Sequence, residues 1–102
     1  MLTEAYRSSN AATQAPVVRV VEVSDDHLLV RWVEPGKCHY GEQKWRLGVA
    51  SRNGYCVLSN LRIKRGEPAY RPTGRPRPRN HVAMIAVTAI QAIHMALARH
   101  IE

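Results

Sequence analysis

Positions 1–15 are polar or small and show no period, and the pattern changes abruptly at Pro16. Val17-Val-Arg-Val-Val-Glu-Val23 and His27-Leu-Leu-Val-Arg-Trp-Val33 are β-branched runs of strand length. Ser24-Asp25-Asp26 between them is turn chemistry, because these side chains hydrogen-bond the adjacent backbone. A first hairpin is therefore predicted over these runs. Pro35-Gly36 stops the second strand, and Lys37 to Lys44 reads as a polar loop. A second hairpin is predicted around Asn53-Gly54, the pair best suited to φ > 0 at both turn positions. Its strands, Trp45–Arg52 and Tyr55–Leu58, place Trp45, Leu47, Val49, Ser51, Cys56 and Leu58 on one inward face.

Ser59 to Glu67 reads as a further turn with Gly66 at its tight point, and Pro68–Arg71 as a short edge strand. Pro72, Pro76 and Pro78 punctuate a connector at 71–79 and favour an extended polyproline II backbone. Asn80 is a good N-cap for a helix over 80–100, where Arg99 and His100 suit the negative end of the helix dipole. In that helix His81, Thr88, Gln91 and His94 form a drifting polar strip opposite a broad apolar face.

The expected fold class is α+β. Two antiparallel hairpins form a small sheet or half-barrel packed by one long C-terminal helix, within a single domain at 16–102 that follows a disordered tail at 1–15. Expected core residues are Val18, Val20, Leu28, Val30, Trp32, Leu47, Val49, Cys56, Leu58, Ile85, Ile90, Ile93 and Leu97.

Length and composition agree with this. The chain has 102 residues, of which 45% are apolar, enough for a modest core without staples. Cys38 and Cys56 are too few for a disulfide scaffold and fit a reducing cytoplasm. No apolar h-region stands in the first fifteen residues, which also points to a cytoplasmic protein. Val82 to Ala98 lacks formal charge, yet Thr88, Gln91 and His94 interrupt it and it is short for a bilayer span, so no membrane is expected.

Charge changes the picture. Arg62, Lys64, Arg65, Arg71, Arg75, Arg77 and Arg79 face the single acid Glu67 in one stretch, which carries nearly all of the chain's net +7. A field this local points at one polyanionic or acidic partner surface. Gly74-Arg75-Pro76-Arg77 resembles the Gly-Arg-Pro centre of an AT-hook, although Thr73 replaces the arginine that would precede the glycine. The bland counterpart is a linker stiffened by proline and solubilised by arginine. Tyr55 and Tyr70 flank the segment and offer stacking surfaces, whereas Trp32 and Trp45 read as core.

Other chemistry is thinly represented. Cys38, His39 and Cys56 are zinc-type ligands, and Cys56-Val-Leu-Ser59 has the spacing of a knuckle with its second thiolate replaced. A fourth ligand would have to come from His27 or His81, so no metal is expected, and the knuckle outline should persist without one. Cys38 and His39 are adjacent and diverge in an extended chain, which removes them as a dyad. No phosphate loop, nucleophile elbow, dinucleotide fingerprint or zincin motif occurs. No catalytic residue and no cofactor are expected.

The string Cys38-His-Tyr-Gly-Glu-Gln43, Trp45-Arg46, Tyr55-Cys-Val-Leu-Ser59, Ile63 to Gly66 and Tyr70-Arg71-Pro72 resembles a family of short basic β-proteobacterial proteins with a domain of unknown function. The resemblance implies a bacterial cytoplasmic protein and carries over no site residue. The expected function is a non-enzymatic module that binds nucleic acid or an acidic protein through Lys64, Arg65, Arg71, Arg75, Arg77 and Arg79. The alternative is an assembly protein that forms a homodimer through its apolar helix.

Overall fold

A computed structural model describes residues 15–101, with side chains to residue 96. The tail at 1–15 therefore falls almost wholly outside the described residues, as do the side chains of Leu97, Arg99 and His100. Strands β1 (Val17–Val23), β2 (His27–Glu34), β3 (Cys38–Val49), β6 (Pro68–Pro72) and β7 (Ile85–Ala86) form one antiparallel sheet in the order β1-β2-β3-β6-β7. It curves as a half-barrel. Short strands β4 (Gly54–Tyr55) and β5 (Arg62–Ile63) pair separately, and helix α1 (Val87–Ile101) ends the chain.

The first hairpin forms where the alternation placed it, with Val23 opposite Leu28 and Val17 opposite Val33. Its inward residues Leu28, Val30 and Trp32 are buried together with Trp45. The two indole rings lie 5.9 Å apart at 36°, a tilted contact that anchors the core.

The second hairpin is not the one expected. Pro35-Gly36 does not end the sheet but turns it: Gly36 takes φ 77°, Lys37 N donates to Glu34 O at 2.9 Å, and residues 38–44 continue as strand β3. The segment read as a polar loop is thus the first half of the longest strand. Beyond Arg46, which faces His27, β2 has ended; Leu47 N still donates to Asp26 O at 2.9 Å, and past it β6 is the strand beside β3. Leu47 and Val49 overhang there and are 38% and 58% exposed, although both were expected in the core.

Asn53-Gly54 makes no two-residue turn, since Gly54 pairs with Ile63 and Tyr55 with Arg62. The glycine serves close approach instead. A Cβ on Gly54 would stand 2.7 Å from Met84 Cε, and Met84 is buried. Gly54→Ala should cost about 1 kcal/mol in urea unfolding, because the buried thioether must shift to admit the methyl group. Combined with Met84→Ala, the two losses should sum to less than their separate values.

Strand β6 is interior to the sheet, not an edge: it pairs β3 on one side and β7 on the other, and Ala69 and Tyr70 are buried. Its prolines stand at its first and last positions, where a missing donor does least harm. Gly66, at φ 91°, does sit in the preceding turn.

Helix α1 begins at Val87, seven residues after the expected cap at Asn80. The sheet claims the residues before it: Tyr70 pairs Ile85, Ala69 pairs Ala86, and Met84 bridges to Cys56. The helix packs chiefly through Val87, Ala89 and Ile90, and residues 91–96 are exposed, Ile93 among them. Among its described side chains, those beyond Ile90 do not pack on the sheet.

Candidate anion-binding cleft

Asn80 is buried with Gln43, and the two carboxamides form a closed pair. Gln43 Nε2 donates to Asn80 Oδ1 at 3.0 Å, and Asn80 Nδ2 donates to Gln43 Oε1 at 2.9 Å. The same Gln43 oxygen accepts from Trp45 Nε1 at 2.9 Å. This network ties residue 80 to the middle of β3. Arg79 N donates to the Tyr40 hydroxyl at 3.1 Å, which adds a second tie. At the other end, Thr73 donates twice to Lys44 O, from its amide at 3.0 Å and its hydroxyl at 2.8 Å.

The arginine-proline connector is therefore pinned at both ends to β3. Held in this way it forms one wall of a cleft of about 550 Å³, whose opposite side is the overhang of β3 with β6. Arg46, Arg52, Arg71, Arg75 and Arg77 line it together with His81, and its lining contains no Asp or Glu. Arg46 and Arg71 are register partners on neighbouring strands and so project to the same side. Like charges placed directly opposite each other repel, and an anion between them would relieve the repulsion. Arg71 Nη1 donates to Ser51 Oγ at 3.4 Å. Among the described residues, the ion pairs are Asp26–His27 and Glu34–Lys37, and neither involves these arginines.

Of the residues singled out from the sequence, Arg71, Arg75 and Arg77 meet in this cleft. Lys64 and Arg65 are exposed in the 64–67 turn, where Arg65 N donates to Asn53 Oδ1 at 2.9 Å. Arg79 faces a smaller cavity of about 330 Å³ with Trp32, Glu34 and Lys37. Arg46, Arg52 and His81 also line the cleft and stand outside the basic set expected from the sequence, and no signal within one segment joins Arg46 or Arg52 to the connector. Tyr70 is 5% exposed and offers no stacking surface, whereas Tyr55 is 64% exposed.

Both cysteines are free thiols. Burial pushes the Cys56 thiol up, but the Ser59 side chain and then amide donors outweigh that and hold it below the ordinary thiol value, with Ala86 N at 3.3 Å and Ser59 N at 3.4 Å from the sulfur. Asn60 N closes onto Cys56 O at 2.8 Å with Asn60 at φ 61°, so the knuckle outline is present. Burial, followed by the Glu34 carboxylate, raises the Cys38 thiol. Among the described residues no three His, Cys, Asp or Glu side chains gather as a metal site. No described helix is long and apolar enough to cross a membrane.

The family model described as "Domain of unknown function (DUF3331)" matches residues 3–92. No curated protein and no solved structure matches the chain.

Proposed function

The chain belongs to the DUF3331 family, and from the geometry of its cleft we propose that it is a non-enzymatic binding module for nucleic-acid phosphates. The observation that carries this reading is the convergence of five arginines from β3, the loop after it, β6 and the connector on one cleft lined by no carboxylate. Guanidinium forks suit phosphate oxygens, and a concave wall of them concentrates the field. A connector tied down at Thr73 and Asn80 loses little chain entropy on docking, which supports a role for Arg75 and Arg77 in contact with ligand. Two free thiols suit a reducing compartment, so a bacterial cytoplasm is part of the proposal.

Binding should be in the micromolar range, on the order of ordinary non-specific nucleic-acid affinity, and should weaken steeply with salt. In a salt titration by fluorescence anisotropy, five engaged arginines would give a log–log slope approaching about −4. No binding to duplex DNA, single-stranded DNA or RNA, even in low salt, would refute the proposal.

Exposed Met95 (61%) and Ile93 on α1 favour a second reading, self-association through the helix. Apolar association does not release counterions. A mass increase in sedimentation equilibrium that persists in high salt, in protein without nucleic acid binding, would favour assembly.

A further inference from the structure

A cleft of about 550 Å³ has the size of a small-molecule pocket. A duplex is a stiff rod that holds its phosphates on its outside, and it can only lie across such a mouth. A flexible single strand can thread phosphates into it. A complementary feature stands close to the cleft along the chain. Arg52 lines the cleft, and Tyr55 follows three residues later, at most about 11 Å away along the backbone. Tyr55 stands on β4 directly opposite Arg62 on β5, so ring and guanidinium project to the same side.

The ring is 64% exposed and Arg62 is exposed too, although Ile63 and Cys56 beside them are buried. The corner between cleft and ribbon is braced by the bond from Arg65 N to Asn53 Oδ1, which brings the turn bearing Lys64 and Arg65 alongside. We infer that the β4–β5 ribbon is a base-stacking platform at the mouth of the cleft, so that the ligand is single-stranded nucleic acid with a base on Tyr55 and its phosphates among the cleft arginines. The inference rests on the phosphate-binding reading of the cleft and adds the class of strand and the contact that selects it. Base–aromatic stacking is tolerant of sequence, so no base preference is expected.

The experiment uses the full chain and four anionic probes: a labelled thymidine 12-mer, the same backbone with abasic residues, the 12-mer annealed to its complement, and inorganic polyphosphate. The wild-type protein should bind the 12-mer about fivefold or more tightly than its abasic form, and more tightly than the duplex. Tyr55→Ala should bring the 12-mer down to the abasic level and leave abasic and polyphosphate binding unchanged. Tyr55→Phe should keep the difference. Since the ring is exposed, both variants should melt as wild type does.

Equal affinity for the 12-mer and its abasic form would overturn the platform, as would tighter binding of the duplex. So would a Tyr55→Ala variant that loses nothing, or one that loses affinity for all probes alike. In those outcomes polyphosphate binding still separates the cleft's own role from that of the ribbon. If no probe binds in low salt, the phosphate reading fails as well.

Discussion

Asn80→Ala is expected to lower the stability of the fold by about 2 kcal/mol, a fall of roughly 8–16 °C in melting temperature for a domain of this size. The variant leaves the buried Gln43 carboxamide without its partner donor and its partner acceptor. No water-facing alternative exists for a group at 6% exposure. Gln43→Leu should cost more, about 3 kcal/mol, because it orphans Asn80 and also removes the acceptor of Trp45 Nε1. Replacing both by leucine should recover part of the loss, since neither amide is then stranded. Recovery stays incomplete because the indole N–H still lacks a partner. A double-mutant cycle by urea unfolding reads this coupling directly. The same variants should weaken anion binding modestly, because Asn80 anchors the end of the connector that carries Arg75 and Arg77.

The combined variant Arg46→Gln/Arg71→Gln/Arg75→Gln should fold as well as wild type, or slightly better, yet lose about a hundredfold or more in affinity at roughly 0.1 M salt. Each lost phosphate contact removes somewhat under one unit of log K at that concentration, and the salt slope should become shallower by about two to three units. Glutamine keeps much of the aliphatic stem, so packing is little disturbed. Stability should not fall because Arg46 and Arg71 oppose each other across the β3–β6 ladder without a described carboxylate partner. Removing that repulsion helps the free protein while it disables the cleft. Melting curves with and without polyphosphate check both signs. A variant that unfolds would mean that the arginines serve the fold, and unchanged affinity would mean that they do not meet the anion.

Local pattern was sufficient for the first hairpin, whereas the polar composition of residues 37–44 concealed the strand that follows the Pro35-Gly36 turn. The alternation of Val17–Val33 around Ser24-Asp25-Asp26 defined β1 and β2, and it placed Leu28, Val30 and Trp32 inside. The concentration of arginine between residues 62 and 79 was also legible, because charge is additive along the chain. Asn53-Gly54 misled for a definite reason. Turn propensity is a preference of a few residues, and here strand β6, more than twenty residues further on than Trp45, wins the edge of β3 that the hairpin needed. The start of α1 was displaced likewise, since pairing with Ala69 and Tyr70 outcompetes one more helical turn for Ile85 and Ala86.

Residues alone thus determined that 17–33 forms a hairpin, that both tryptophans are core, and that one basic stretch dominates the charge. Tertiary structure decided that Gln43 and Asn80, 37 positions apart, satisfy each other in the interior. It also decided that Arg46 and Arg52 join Arg71, Arg75 and Arg77 in one cleft. Both outcomes depend on strand order. Antiparallel register brings distant residues face to face, and hydrogen-bond and Coulomb energies follow distance in space while periodicity reports only distance along the chain.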